Sequence, residues 1–229
     1  LAALQDYDAY LERLSRAIGE KEQELEKLCE EASAIRRRYA TTLCGKIREH
    51  LVDLNFLNVE FELDFTRLSG YTANGFDDAE FVISTNPGEP LRPLAKIASG
   101  GELSRVMLAI KTVLADKDQI ETVIFDEIDV GISGRTAQKV SEKMMLIGRT
   151  RQVICITHLA QIAAMADTHF RIEKQVEEGG TRTEIRKLTE AESIDELARI
   201  LGGAEITDAV LKNASEMKEL AGNKKSQTR

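Results

Sequence analysis

The sequence is poor in residues that build several common kinds of site. Its 229 residues include no Trp, three Pro and three Cys, and aromatic residues make up 5%. Cys29, Cys44 and Cys155 share no C-x-x-C spacing, which argues against a disulfide framework and against a thiolate metal site. No apolar run approaches the roughly 18 residues that a membrane-spanning helix needs. We therefore expect a soluble, cytoplasmic protein.

The charge balance is acidic. The formal net charge is −8, and charged residues make up 31% of the chain. Proteins that coat nucleic acid through a basic surface need clustered Lys and Arg, so any contact with DNA has to be local or come from a partner. Many charges with few aromatic residues also indicate a long, solvated helix.

A heptad pattern covers the first forty residues. Apolar residues recur at alternating intervals of three and four, and only Lys21 interrupts them. This seam consists of Leu4, Tyr7, Leu11, Leu14, Ile18, Leu25, Leu28, Ala32, Ile35 and Tyr39. The seam predicts a coiled-coil arm over residues 1–42 that packs against another helix, within or between chains. Arg36-Arg37-Arg38 is interpreted as a solvated flank of this arm, with a DNA contact as the alternative.

A globular body is predicted over residues 43–222, followed by a frayed tail over 223–229. Apolar and polar residues alternate over 59–65 and again over 79–83, which predicts an antiparallel pair of strands. Turn signals between them are Ser69-Gly70 and Asn74-Gly75.

Helices and strands alternate after residue 99, with apolar strands at 122–125 and 153–157. This order predicts a parallel sheet covered by helices. A hairpin around Gly179-Gly180 and two helices separated by Gly202-Gly203 follow. The fold class is therefore α/β, with a mostly parallel sheet, extra antiparallel strands and an N-terminal coiled-coil helix.

A predicted helix begins at the segment Ser99-Gly100-Gly101-Glu102, which has two interpretations. S-x-x-E before an apolar helical run is typical of a capping box. Two glycines lower helix propensity there, but they leave the first amides open to an anion such as a phosphate. Both interpretations remain possible for the same residues.

Acidic and imidazole side chains follow the two predicted parallel strands. Ligands of open α/β sheets bind beyond the carboxyl ends of strands, where Asp126-Glu127 and His158 are placed. In phosphoryl transfer one carboxylate holds Mg²⁺ and another group positions the attacking water. We assign Asp126 to the metal and Glu127 and His158 to catalysis, with solvated loop acids and a surface histidine as the alternatives. The loop at Asp129 is a candidate contact to a second subunit.

These segments together carry a family resemblance. Ala98-Ser-Gly-Gly-Glu-Leu-Ser-Arg105, Ile124-Phe-Asp-Glu-Ile-Asp129 and Ile156-Thr-His158 resemble the signature, Walker B, D-loop and H-loop of ABC-type ATPases. The arm places the resemblance in the SMC-like branch, among its bacterial DNA-repair members. It implies an ATPase head that uses ATP and Mg²⁺, joins a second head when ATP binds and acts on DNA double-strand breaks at the nucleoid.

The resemblance also implies where the residues act. Asp126, Glu127 and His158 would serve ATP held by their own head. Ser99, Gly100 and Gly101 would bind nucleotide held by the second head. Glu102 and Asp129 are also assigned to nucleotide binding.

One part of that ATP site has no counterpart in the sequence. The phosphate loop G-x-x-x-x-G-K-[ST] does not occur, and the nearest candidate, Gly45-Lys46, has Ala40 and Ile47 at the other required positions. We expect this chain to be the C-terminal half of a head whose N-terminal half is its partner, and to be inactive alone. The alternatives are a chromosome-organising SMC head, a transporter subunit and a non-enzymatic coiled-coil protein.

Overall fold

The computed structural model describes residues 2–97, 99–115, 117, 119–177, 180–203 and 205–227, over which the chain forms six α-helices and seven strands. The helices are α1 (Ala2–Asp53), α2 (Gly100–Val113), α3 (Gly134–Gly148), α4 (Ala160–Ala163), α5 (Glu190–Gly202) and α6 (Asp208–Gln227). The strands are β1 (Glu60–Thr72), β2 (Gly75–Ser84), β3 (Arg92–Pro93), β4 (Thr122–Phe125), β5 (Gln152–Cys155), β6 (Phe170–Glu177) and β7 (Gly180–Lys187).

The strands form three separate sheets. β1, β2 and β3 are antiparallel, β4 and β5 are parallel, and β6 and β7 form an antiparallel hairpin. This mixture confirms the predicted α/β class, although parallel pairing within the described ranges is limited to β4 and β5. The predicted hairpin is present, but Gly179 lies outside the described residues.

The main core lies where the C-terminal half of α1 meets β1, α2 and α3. Ile47, Leu51 and Phe61 are fully buried there, as are Val106 and Val140. A second core joins α4, α5 and α6 and is built mainly from alanines, which let the helices approach closely. Within the described ranges, none of the helices combines the length and the hydropathy required to cross a membrane.

Helix α1 runs without interruption from the predicted arm into the main core. The seam side chains from Tyr7 to Tyr39 are exposed for the most part, and burial in the core begins at Cys44. The seam is therefore available to another helix. The division into an arm over 1–42 and a head over 43–222 stays a prediction.

The β1–β2 hairpin is longer than predicted and lies along α1. Residues Ser69-Gly70 are part of β1, not of the turn, and the chain reverses just before Gly75, whose φ is +93°. The carboxylate of Asp77, 3% exposed, accepts hydrogen bonds from Arg36 Nη1 at 3.0 Å and from Ser33 Oγ at 2.8 Å. Arg37 and Arg38 are exposed, as the interpretation of a solvated flank expects, whereas Arg36, 39% exposed, forms an ion pair that was not predicted, because the hairpin reaches far enough to meet it.

The C-terminal helix also extends further than expected. Helix α6 continues to Gln227, so residues 223–227 are helical where a frayed tail was predicted; residues 228–229 lie outside the described ranges. Lys224 forms an ion pair with Glu142 on α3, and Lys225 Nζ lies 2.6 Å from Asp167 Oδ1. These contacts hold the end of the helix against the body.

Two half-buried histidines have lowered pKa values. Burial and the neighbouring Lys143 lower the pKa of His50, whose Nδ1 accepts a hydrogen bond from Lys143 Nζ at 2.6 Å. Burial and Lys218 likewise lower the pKa of His169, whose Nδ1 lies 2.8 Å from Ser193 Oγ. The folded protein therefore binds these protons less readily than the unfolded chain does.

This difference predicts a loss of stability in mild acid. The free energy of unfolding should fall as the pH falls below about 6.5, the ordinary histidine value, because the unfolded chain takes up protons first. Urea denaturation between pH 7.5 and 5.5 should show the slope, and a His50→Gln/His169→Gln double variant should flatten it. An unchanged slope in the double variant would contradict the assignment.

Candidate functional site

The predicted site residues meet at one edge of the parallel strands. The last residues of β4 and β5, Phe125 and Cys155, are paired directly. Asp126-Glu127 follow the first strand, and Thr157-His158 follow the second after one more residue, whose amide still bonds Phe125. The N-terminus of α2 reaches the same edge, because Gly100 and Gly101 lie against Glu127. Three segments that are distant in sequence thus form one cluster.

Ser99 is the N-cap of α2. Its backbone is extended, and its Oγ accepts a hydrogen bond from the Glu102 amide at 3.4 Å. This bond is one half of the predicted capping box; in α5, by contrast, Thr189 and Glu192 form both halves. The helix start is therefore stabilised by Ser99, while Gly100 is exposed. Ala98, the first residue of the signature segment, lies outside the described residues.

Gly101 allows α2 to approach the loop that follows β4. A Cβ atom at this position would lie 2.9 Å from the Glu127 carbonyl oxygen, closer than real Cβ atoms come, and 3.0 Å from Val130 Cβ. A Cβ at Gly100 would instead collide with the flexible end of the Glu127 side chain. Close packing inside the chain thus explains why position 101 is a glycine. At the exposed position 100 the nearby atoms belong to a flexible side chain, so packing does not require a glycine there.

Glu127 is held in an unusual backbone conformation. Its φ is +56°, in the left-handed region that non-glycine residues seldom adopt and that recurs at functional sites. The Glu127 amide donates to Asp126 Oδ1 at 2.9 Å, and Val130 N donates to the Glu127 carbonyl at 3.1 Å. Both carboxylates remain exposed, so both are available to a ligand.

Asp129 has its carboxylate turned into the protein. The side chain is 3% exposed, and Oδ2 accepts hydrogen bonds from Thr157 Oγ1 at 2.6 Å and from the His158 amide at 2.8 Å. The same oxygen lies 3.0 Å from His158 Nδ1, while the imidazole is 72% exposed. A proton on Nδ1 leaves Nε2 of the neutral ring as an acceptor. Asp129 therefore joins the two loops and orients His158, and its carboxylate is turned into the protein; the contact of this loop to a second subunit stays a prediction.

Sequence reasoning missed three side chains of this cluster. Thr157 binds Asp129, Ser104 Oγ donates to the Asp126 carbonyl at 2.9 Å, and Arg105 Nη1 donates to the Val130 carbonyl at 2.8 Å. Arg105 follows Gly101 by four residues and so lies on the same face of α2. That spacing was the available signal.

Cys155 is unsuited to covalent chemistry. Burial, followed by the charges of Asp129 and Asp126, raises the pKa of its thiol to about 12. The thiol therefore stays protonated near neutral pH, whereas a nucleophile or a metal ligand needs the thiolate.

Asp126 can supply one ligand to a hard cation. No group of three or more His, Cys, Asp or Glu side chains that could hold a metal occurs in the described part of the chain. Mg²⁺, however, is commonly bound by one or two carboxylates together with waters and phosphate oxygens of a substrate. The exposed Asp126 carboxylate fits that mode, in which most ligands come from outside the protein.

Comparison with known proteins identifies relatives of this sequence, although no family model matches it. It is similar to DNA repair protein RecN of Halalkalibacterium halodurans, with 42% identity over 218 residues, which are 93% of this chain and 39% of that protein. It is also similar to DNA repair protein RecN of Deinococcus radiodurans, with 40% identity over 222 residues, 97% of this chain and 38% of that protein. The chain thus spans about two fifths of these relatives and matches their C-terminal part.

A solved structure supports the fold. An Smc head domain with a coiled coil and joint from Pyrococcus yayanosii has a TM-score of 0.55 and 21% identity, covering 85% of this chain and 35% of that one. At this identity the likeness concerns the fold alone, and it confirms the predicted head-type architecture with a coiled-coil helix.

The packing at Gly101 predicts a strong effect of a single methyl group. Gly101→Ala should destabilise the complete protein by about 1–3 kcal/mol, because a backbone carbonyl cannot move aside cheaply. Gly45→Ala on α1 is the control: a Cβ atom added there would have no atom within 4 Å, so this change should be neutral or slightly stabilising. Equal melting temperatures for the two variants would refute the close-packing argument.

Proposed function

Because this chain belongs to the RecN family, as the counterpart of its C-terminal part, we propose that it supplies the C-terminal half of an ATPase head. ATP binding would close two such heads on each other and hydrolysis would reopen them, in recombinational repair of DNA double-strand breaks in the bacterial cytoplasm, at the nucleoid. The main support for this proposal is that Asp126, Glu127, His158 and the N-terminus of α2 lie together at the carboxyl ends of β4 and β5.

The residues after β4 and β5 would act on ATP held by the same head. Asp126 would hold Mg²⁺, which neutralises charge on the phosphate oxygens. Glu127 would orient the attacking water, since its carboxylate is exposed at the strand edge directly after Asp126 and sits on a constrained backbone. His158, oriented by Asp129, would act on the same nucleotide, with Nε2 accepting a hydrogen bond from the attacking water.

The start of α2 would act on ATP held by the second head. The free amides of a helix N-terminus favour a phosphate, and Gly100 is exposed there. Ser99 and Glu102 stabilise the helix start through the hydrogen bond between them. They would contribute to nucleotide binding by holding the other amides of the first turn in place and leaving them free. Asp129 would contribute indirectly, by orienting His158, because its own carboxylate is buried.

The phosphate loop would come from the N-terminal half of the same head. Apolar side chains on one face of the parallel pair are uncovered, including Ile124 at 64% and Ile154 at 44% exposure. The seam of α1 is exposed as well. These two surfaces favour a further segment that covers this face of the sheet and pairs with the arm.

DNA would be a partner of the assembled protein. Support comes from the names of the relatives, "DNA repair protein RecN". The net charge of −8 limits what this half contributes, and Arg36 is occupied by Asp77. A chromosome-organising head shares the fold, and a non-enzymatic protein would share the arm, so activity measurements decide between them.

The role of the Glu127 carboxylate in positioning water can be tested by mutation. In the complete protein, Glu127→Gln should lower kcat for ATP hydrolysis by about 10²–10⁴-fold, the usual contribution of a general base, and leave ATP binding intact. Steady-state hydrolysis and nucleotide titration measure the two effects. Glu121→Gln, an exposed acid before the other end of β4, is the matched control and should behave as wild type. Undiminished turnover by Glu127→Gln would remove its assigned role.

The proposal also predicts how the chain behaves without the N-terminal half of the head. Residues 1–229 by themselves should show no ATP turnover, because the groups present complete a site that another segment must nucleate. Adding the separately purified N-terminal half should restore hydrolysis. Brisk turnover by the chain alone would overturn the idea of a divided site.

A further inference from the structure

Arg105 occupies a position that the proposed mechanism does not use. Its side chain is 7% exposed and extends from α2 beneath the loop that carries Glu127. Nη1 donates to the Val130 carbonyl at 2.8 Å and approaches the Ile128 carbonyl at 3.5 Å. The guanidinium carbon also lies 5.6 Å from the centre of the Phe56 ring. One cation thus holds two backbone carbonyls of the same loop.

Stability alone is a weak reason for this arrangement. A buried charge is costly unless it is paired and fully hydrogen-bonded, and burial lowers the pKa of Arg105. Its Nε is buried and has no hydrogen-bond partner among the described residues. The buried Lys143, by comparison, pairs with Asp53 at 2.9 Å. An apolar side chain of similar volume would fill the space beneath the loop without an unpaired donor.

The loop that Arg105 holds links every part of the candidate site. Gly101 contacts the Glu127 carbonyl from the α2 side. Ile128 is fully buried in the main core, and Asp129 reaches across to Thr157 and His158. A shift of this loop relative to α2 would therefore move Glu127 and His158 together.

We propose that Arg105 is a positioning residue that locks residues 127–130 onto α2, so that the N-terminus of α2 and the Glu127 carboxylate move as one unit. The inference rests on the proposed ATPase function. Its consequence is that the helix end facing the second head's nucleotide and the carboxylate acting on this head's own nucleotide keep a constant spacing. Arg105 touches neither nucleotide.

A pair of arginine variants tests this role in the complete protein. Arg105→Met removes the Nη1 donor while keeping most of the volume. Arg105→Lys keeps the charge, but its side chain is one bond shorter than the path to Nη1, so the ammonium cannot take the position of Nη1 beneath both carbonyls. Arg151 is the matched control. Its guanidinium also donates to two backbone carbonyls, those of Ile120 and Ala115, and its Nε is likewise buried, but it lies at the opposite ends of β4 and β5.

Positioning and structural roles give different results. Arg105→Met should lower kcat on the order of 100-fold, the loss that a displacement of about 1 Å causes, with KM for ATP changed less than about threefold and Arg105→Lys in between. Amide exchange of residues 127–130 should accelerate in Arg105→Met and not in Arg151→Met, which should keep wild-type kcat. Melting temperature should fall no more in Arg105→Met than in Arg151→Met. If Arg105→Met does not fold, a reduced kcat in Arg105→Lys at unchanged melting temperature is the expected result.

Other outcomes overturn the inference. A kcat for Arg105→Met equal to that of Arg151→Met removes the positioning role, and so does a wild-type kcat for Arg105→Lys when Arg105→Met cannot be folded. If the complete protein hydrolyses ATP and Glu127→Gln does not, these results refute the inference alone. If the wild-type protein fails to hydrolyse ATP, the proposed function and the inference fail together.

Discussion

The candidate site depends on one buried carboxylate. Asp129 is 3% exposed and accepts hydrogen bonds from the hydroxyl and the amide of two consecutive residues after β5. Hydrogen bonds to a charged acceptor are strong, and breaking them would leave a buried charge unpaired. The two loops therefore cannot move independently. Because parallel strands end at the same edge, this single link places His158 next to the acids that follow β4.

The approach of α2 is the second constraint, and it rests on small size. Gly101 permits contact with the Glu127 carbonyl, and Arg105, one turn later, fills the space below the loop. The residues that pack the start of α2 tightly on the loop are the same ones that the ligand-binding interpretation uses. The capping and ligand-binding interpretations of the segment at Ser99 are therefore compatible. Capping stabilises the helix, and close packing brings its end to the strand edge.

Helix α1 connects this site to the arm. Its C-terminal half is part of the main core beside α2, and its middle carries the β1–β2 hairpin through Ser33 and Arg36. The seam lies on another face of the helix and remains exposed. A partner helix can therefore bind the seam without displacing the hairpin. The hairpin and the core together fix the direction in which the arm leaves the body.

Local patterns in the sequence determined the elements, whereas long-range contacts determined the partners. Heptad spacing, alternation at 59–65 and acids directly after a strand predicted helix, strand and site edge, because side-chain periodicity depends only on neighbouring residues. The partner of Arg36, the inward turn of Asp129 and the burial of Arg105 were not predictable. Asp77 is 41 residues from Arg36, and Thr157 is 28 residues from Asp129. Such pairs exist only once the tertiary packing has brought the two side chains together and buried the carboxylates of Asp77 and Asp129, where an unpaired charge is costly and a partner becomes obligatory.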